Sequence, residues 1–203
     1  HTAVDLEPTN TDHLNDRGLF YTKHKKYDLA IDDFSAIINI LPDNDYAYNE
    51  RAILFVSTEQ YAKANKDFNK SIEIDPKNTT PYFYRAKMYN KQKDYVKEKE
   101  AYQKTTEMNK EDPEGYYYLS LWYINQNNIF KSISYLTKSI TKLSADNDYY
   151  ITSLDGFGRV ELEDLYLQRA EVYKNADEPE LMCEDYKNAC DLGDCELFNT
   201  NCK

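Results

Sequence analysis

Cysteine is absent from the first 182 residues of this 203-residue chain, and the whole chain has five glycines and six prolines. Glycine and proline both interrupt helices, so their scarcity is typical of a helical protein. The three histidines, His1, His13 and His24, all lie near the start of the chain. Most of the sequence therefore offers no histidine for a catalytic triad, and it contains no glycine-rich phosphate loop. These absences argue against an enzyme and predict neither catalytic residues nor a cofactor.

Positive charge and long apolar runs are also scarce. The chain has 25 Lys and Arg against 36 Asp and Glu, a net charge of -11. Binding to nucleic acid requires a basic face, so we expect no nucleic-acid partner and no docking on anionic lipid. The apolar runs are interrupted far short of the roughly 20 residues that span a bilayer. The sequence therefore predicts no membrane insertion, and the expected partner is another protein or a peptide.

A residue pattern recurs four times at a spacing of thirty-four. A helix-compatible residue is followed by a small one in Arg17-Gly18, Arg51-Ala52, Arg85-Ala86 and Leu119-Ser120. Three residues after each small residue comes an aromatic: Tyr21, Phe55, Tyr89 and Tyr123. Self-similarity at this period is typical of a helical solenoid, in which an extended surface usually carries the function.

This period divides the sequence into four units, 11–44, 45–78, 79–112 and 113–146, after a polar segment at 1–10. Positions eight and twenty of a unit are mostly small, which allows two antiparallel helices to approach closely. Positions four, eleven, seventeen and twenty-four are mostly aromatic and fill the space between helices. Pro42 and Pro76 end the second helix of their units.

The layout resembles the tetratricopeptide repeat family. The residues that carry the resemblance are Gly18, Tyr21, Tyr27, Ala30, Phe34, Pro42, Ala52, Phe55, Tyr61, Ala64, Phe68, Pro76, Ala86, Tyr89, Tyr95 and Tyr102. The resemblance implies an all-α, right-handed superhelical solenoid of about five helix-turn-helix repeats. Unit three departs from the family pattern at position twenty, where Glu98 is long and charged. Unit four lacks the aromatic residue and the proline that the pattern has in and after the second helix.

A fifth unit follows an interruption. Tyr166, Arg169, Ala170 and Tyr173 fit a unit that starts at Glu163, so residues 163–203 form a fifth repeat and its end, and 147–162 is an insertion. Gly156 and Gly158 argue against a continuous helix in the insertion. Such an insertion either adds a loop to the binding face or extends a helix and restores the stacking angle.

The four cysteines, Cys183, Cys190, Cys195 and Cys202, are confined to the last twenty-one residues. Their spacing and the lack of a nearby histidine disfavour zinc, which leaves two disulfides or free thiols. Cys183 and Cys190 lie seven residues apart on a predicted helix, about 10 Å by the helical rise, too far for a disulfide. The pairing is then Cys183–Cys195 with Cys190–Cys202, or Cys183–Cys202 with Cys190–Cys195. Disulfides would cap the solenoid and would favour an exported protein of a bacterial periplasm or cell surface.

By the resemblance, the first helix of each unit lines a concave groove. The groove residues that this implies are Tyr46, Asn49, Ile53, Phe83, Tyr84, Lys87, Asn90, Lys91, Tyr117, Tyr118, Leu121 and Asn125. This groove and the composition of the chain leave three candidate functions. The first is a non-catalytic scaffold that binds a peptide segment or helix of a partner in the groove. The second is a self-associating structural module of an envelope assembly, and the third, disfavoured by the missing histidines, is an enzyme.

Overall fold

The structure is a computed structural model that describes residues 9–145, 151–152, 159–193 and 195–202. The described residues form eleven helices and two strands of two residues. The helices are α1 Thr11–Lys23, α2 Tyr27–Ile40, α3 Asp45–Ser57, α4 Tyr61–Ile74, α5 Thr80–Lys91, α6 Tyr95–Met108, α7 Pro113–Asn125, α8 Ile129–Leu143, α9 Leu162–Asn175, α10 Pro179–Leu192 and α11 Glu196–Asn201. The first ten are consecutive helix-turn-helix pairs, so the predicted all-α repeat fold is confirmed.

The chain divides into two compact units, His1–Glu98 and Lys99–Lys203, and the division falls within α6. The N-terminal unit holds repeats one and two and α5. The C-terminal unit holds most of α6, repeats four and five, and α11.

Small residues allow the two helices of a repeat to pack closely. The residue at position eight is fully buried in all five repeats: Gly18, Ala52, Ala86, Ser120 and Ala170. A Cβ atom on Gly18 would lie 3.1 Å from the ring of Phe34 at position twenty-four, so an alanine here would require that ring to move by a few tenths of an ångström. Phe34 and its equivalents Phe68, Leu136 and Tyr186 are completely buried.

The turn between the two helices of each repeat uses one residue with left-handed backbone geometry. It is always position fifteen: Lys25, Glu59, Lys93, Asn127 and Asp177, with φ between 53° and 60°. The next residue closes the turn by donating its backbone N–H to the carbonyl at position eleven, as Gln60 does to Phe55 at 2.7 Å. This pairing satisfies carbonyls at the helix end that would otherwise lack a donor.

An arginine–aspartate pair ties the two helices together in repeats one, two and five. Arg17, Arg51 and Arg169 at position seven each bind the aspartate sixteen residues later: Asp33, Asp67 and Asp185. Both nitrogens of the Arg51 fork donate to Asp67, at 2.7 and 3.0 Å. The three aspartates are nearly fully buried, and a bidentate guanidinium satisfies a buried carboxylate well. The repeat pattern in the sequence marks the arginines at position seven but not the aspartates that they bind.

The last repeat is closed by both predicted disulfides. Cys183 pairs with Cys202 and Cys190 pairs with Cys195, which selects one of the two connectivities that helix geometry allowed. The short helix α11 then lies on repeat five, where Leu197 and Phe198 pack against the buried cluster of Ala170, Met182 and Tyr186. The exposed end of the repeat array is thereby covered by apolar side chains.

The stretch 147–162 is described in part. Strand β1, Ile151–Thr152, pairs antiparallel with β2, Arg159–Val160, and Ile151 is completely buried. The remaining residues of the stretch up to 158, including Gly156 and Gly158, lie outside the described residues. None of the helices described is both long and apolar enough to cross a membrane.

Candidate functional site

The first helices of repeats two and three place side chains of the predicted groove together in the N-terminal unit. Tyr46, Glu50 and Ile53 follow one another on α3 at spacings of four and three, so they share one face of the helix. Ile53 and Tyr84 of α5 pack against the same buried cluster, formed around Ala52, Phe68 and Met88. We call the surface made by Tyr46, Glu50, Ile53, Tyr84 and Lys87 the α3–α5 face.

Glu50 is the most unusual group on this face. Burial raises the pKa of its carboxyl from 4.5 to about 7. Burial, then the Glu50 carboxylate and then Tyr84 raise the pKa of the Tyr46 hydroxyl to about 12. A cation that balanced Glu50 would hold its pKa down. The carboxylate is therefore partly removed from water without that compensation, next to Tyr46, which also interacts with Tyr84.

Aromatic rings and one lysine complete the face. Tyr46 keeps 44% of its surface exposed, whereas Tyr84 is half-buried. The Nζ of Lys87 lies 5.0 Å from the ring centres of both Phe83 and Tyr84, a distance at which a cation is attracted to an aromatic face. The face thus offers tyrosine rings with polar tips, one lysine and one partly buried acid.

Three of the predicted groove residues are buried and contribute no surface. The exposed fractions of the surface are 3% for Asn49, 7% for Phe83 and 1% for Tyr118. The ring of Tyr118 stacks on that of Tyr102 at 5.4 Å, inside the C-terminal unit. The surface that these helices present is therefore narrower than predicted.

The other predicted residues are accessible. Asn90 and Lys91 are exposed near the end of α5. Asn90 donates to Glu98 Oε1 at 2.8 Å, so part of its hydrogen-bonding capacity is used inside the repeat. Glu98 is buried at position twenty, and burial raises its pKa. Its Oε2 has no hydrogen-bond partner among the described residues. Within the N-terminal unit, a partly satisfied buried acid thus joins α5 to the first turn of α6.

In the C-terminal unit, α7 carries Tyr117, Leu121 and Asn125. Tyr117 and Leu121 are half-buried and Asn125 is exposed. Tyr117 meets the ring of Tyr118 edge-on at 5.1 Å, and burial, with a smaller contribution from Asp164, raises the pKa of its hydroxyl. Tyr117 is thus a half-buried tyrosine, as Tyr84 is in the N-terminal unit.

Glu50 is not among the predicted groove residues, although it lies on α3 between Tyr46 and Ile53. Nothing in one sequence marks an acid as partly buried. Among the described residues, no group of three His, Cys, Asp or Glu side chains could hold a metal ion.

Comparisons with known proteins agree with this architecture. Residues 46–78, almost all of repeat two, match the tetratricopeptide repeat family model. No curated protein matches the sequence significantly. Among solved structures, PilW, a type IV pilus biogenesis factor, superposes with a TM-score of 0.71 at 15% identity over 98% of this chain and 86% of its own.

Two further structures are comparably similar. PilF of Pseudomonas aeruginosa has a TM-score of 0.68 at 16% identity, covering 91% of this chain and 77% of its own. A tetratricopeptide repeat protein of Parabacteroides merdae has a TM-score of 0.63 at 17% identity, covering 100% and 75%. Identities this low show the fold alone. The chain has the tetratricopeptide repeat fold, which is typical of protein–protein interaction scaffolds.

Proposed function

We propose that this chain is a non-catalytic scaffold that binds a segment of a partner protein, with the α3–α5 face as its principal contact. The observation that supports this proposal is the partly buried Glu50 carboxylate beside Tyr46 and Tyr84. Removing a carboxylate from water is unfavourable unless a donor or a cation compensates it. A lysine, an arginine or a row of backbone N–H groups from a partner would provide that compensation.

The tyrosines suit the same role. A tyrosine ring presents a rigid apolar surface and a polar tip, and such residues often carry much of the binding energy of an interface. Tyr46, Tyr84 and Glu50 together fit an extended segment with one basic side chain. The accessible residues Ile53, Lys87, Asn90 and Lys91 extend the proposed contact, and Tyr117, Leu121 and Asn125 provide a second candidate contact on the C-terminal unit.

The test begins with cross-linking and affinity capture from the source cell, followed by titration of the captured partner. We expect Tyr46→Ala with Tyr84→Ala to weaken binding by about tenfold or more, since truncating an interface tyrosine commonly costs over 1 kcal/mol. The matched control is Leu29→Ala with Leu41→Ala, two exposed apolar residues of repeat one that lie off this face. Equal affinity for the wild type and the tyrosine variant, with both folded, would refute the α3–α5 face as the contact.

We also propose that the protein is exported to an oxidising compartment, the bacterial periplasm or cell surface. The two disulfides support this, because such bonds persist mainly outside the reducing cytosol. Native protein treated with an alkylating agent without reductant should gain no alkyl groups by intact mass. Four alkylated thiols would overturn the proposal.

A further inference from the structure

Repeat four replaces the arginine–aspartate pair with an aromatic stack. Position seven is Leu119 and position twenty-three is Tyr135. The ring of Tyr135 stacks on Tyr123 at 5.4 Å and on Tyr116 at 6.4 Å. In repeat two the same aromatic positions flank the Arg51 guanidinium, which is 5.7 Å from the ring centre of Tyr48. In repeat four, the neutral ring of Tyr135 therefore occupies the position of the aspartate in the arginine–aspartate pairs of repeats one, two and five.

Lysines lie on this stack. Lys131, Tyr135, Lys138 and Lys142 follow one another on α8 at spacings of four, three and four, so they form one stripe. The Nζ of Lys131 is 5.1 Å from the ring centre of Tyr123, and that of Lys138 is 5.2 Å from Tyr135. We call Lys131, Tyr135 and Lys138 the basic surface. Both lysines are exposed, and the cation–π contacts hold them against the aromatic rings.

Lys131 and Lys138 form no ion pair with the described residues of the chain, although repeat four also contains Glu114. Residues 115–145 contain three lysines and no Asp or Glu, in a chain of net charge -11. Lys142 pairs with Glu111 of the preceding turn at 2.7 Å. A cavity of about 360 Å³ opens beside the stripe, between Lys110, Tyr116, Lys138 and Thr141. The surface is thus suited to acidic side chains.

Repeat five carries the opposite charge. Residues 161–196 contain twelve Asp and Glu against three Lys and Arg. Glu180, Glu184 and Asp191 are exposed on α10 and share one face at spacings of four and seven. The exposed Lys187 lies on the same face between Glu184 and Asp191 and leaves it with a net negative charge. We call these three residues the acidic surface. The helix α10 is the second helix of repeat five, as α8 is of repeat four, so the two surfaces lie on equivalent helices of consecutive repeats.

We propose that the basic surface of one chain docks on the acidic surface of a second copy, forming a two-fold symmetric dimer. A two-fold axis between repeats four and five places each basic surface opposite the partner's acidic surface, so the same contact forms twice. An arrangement that brought two basic surfaces or two acidic surfaces together would be repulsive. The net negative charge of each copy limits the strength of the dimer, and added salt weakens it because these charges are exposed.

The first test measures the mass of the full chain by sedimentation equilibrium over a dilution series. We expect a dimer at low ionic strength that dissociates at about 1 M salt, where the Debye length falls to about 3 Å. A monomer at every concentration and salt, or a dimer that salt strengthens, would overturn the proposal.

The second test exchanges the charges. Lys131→Glu with Lys138→Glu, and separately Glu180→Lys with Glu184→Lys, should each raise the dissociation constant of the dimer about tenfold or more, because like charges then meet across both contacts. An equimolar mixture of the two variants should associate as a heterodimer, since both contacts again join opposite charges. The mixture is decisive, because recovery of association also shows that both variants are folded.

Controls separate a specific contact from a change in net charge. Lys63→Glu with Lys66→Glu makes the same change in net charge on exposed residues of α4 in repeat two, and it should weaken the dimer far less than Lys131→Glu with Lys138→Glu. Helical content and thermal midpoint are compared for every variant. Failure of two folded variants to associate when mixed, or equal weakening by the control on α4, would refute docking through these surfaces.

Discussion

Arg169 donates to Thr137 at 2.8 Å across thirty-two residues, whereas Arg51 makes the same contact with Ser35 at 3.0 Å across sixteen. In both cases position seven of one repeat reaches position twenty-five of the repeat before. The sixteen additional residues equal the length of the insertion. The insertion is therefore accommodated without changing the register of the junction between repeats four and five, as expected for one of the two interpretations of the stretch 147–162.

Glu50 makes the stability of the chain depend on pH. Its pKa is raised in the folded state to about 7 from 4.5, so the folded protein holds a proton that the unfolded chain has released. The free energy of unfolding therefore falls as pH rises from about 4.5 to 7, by about 3 kcal/mol at about 1.4 kcal/mol per pKa unit. We expect Glu50→Gln to remove this dependence.

The measurement is urea unfolding of the wild type and Glu50→Gln at several pH values between 4.5 and 8. The stability of the variant relative to the wild type should rise across that range by up to about 3 kcal/mol. Glu59→Gln, at an exposed position in the next turn, is the control and should show no such trend. A flat difference between Glu50→Gln and wild type would mean that Glu50 titrates normally in the folded protein.

The left-handed residue of each inter-helix turn offers a stabilising change. Glu59 has φ of 60°, a conformation that is costly for residues with a Cβ and free for glycine. Glu59→Gly should raise the free energy of unfolding by about 1 kcal/mol, although glycine also gains entropy in the unfolded chain. Glu73→Gly, inside α4, is the control and should lower stability by about 1 kcal/mol. A loss of stability in Glu59→Gly would show that the side chain itself contributes to the turn.

The disulfides differ in the length of chain they close. Cys183→Ser with Cys202→Ser opens a loop of nineteen residues and should cost about 3 kcal/mol, whereas Cys190→Ser with Cys195→Ser opens one of five and should cost about 2 kcal/mol. The first change also releases α11 from the cluster around Met182 and Tyr186. Hydrogen exchange of α9 and α10 reports the loss locally, and equal exchange in both variants would contradict the role of α11 as a cap.

The period and the residue sizes were enough to predict the helix pairs. Position eight is small because two backbones meet there, and the burial of Gly18 and Ala52 follows from the sequence alone. The cysteine pairs were reduced to two possibilities because a helix fixes the distance between Cys183 and Cys190. In these cases local geometry determines the outcome, so one sequence suffices.

The electrostatic features were harder to predict because each depends on a residue from another helix. Asp33 and Asp67 resemble solvated helix acids until the arginine sixteen residues earlier is placed beside them. Tyr135 occupies a position that is aspartate in three other repeats, so its place in an aromatic stack does not follow from the repeat pattern. In the sequence, Glu50 cannot be distinguished from an exposed acidic residue of a helix. An alignment of the repeats position by position reveals the arginine–aspartate pairs. The burial of Glu50, in contrast, can be recognised only in the packed structure.

Repeat four of this chain shows which residues can replace a buried arginine–aspartate pair. Asp185→Ala removes the carboxylate and leaves Arg169 half-buried without its bidentate partner, which should cost about 3–5 kcal/mol. Arg169→Leu with Asp185→Tyr copies Leu119 and Tyr135 of repeat four into repeat five, where Tyr166 and Tyr173 can stack on the new ring. Because no charge is then left unpaired, the double variant should lose less than half as much in urea unfolding. If it proves as unstable as Asp185→Ala, the aromatic stack of repeat four depends on features that repeat five lacks.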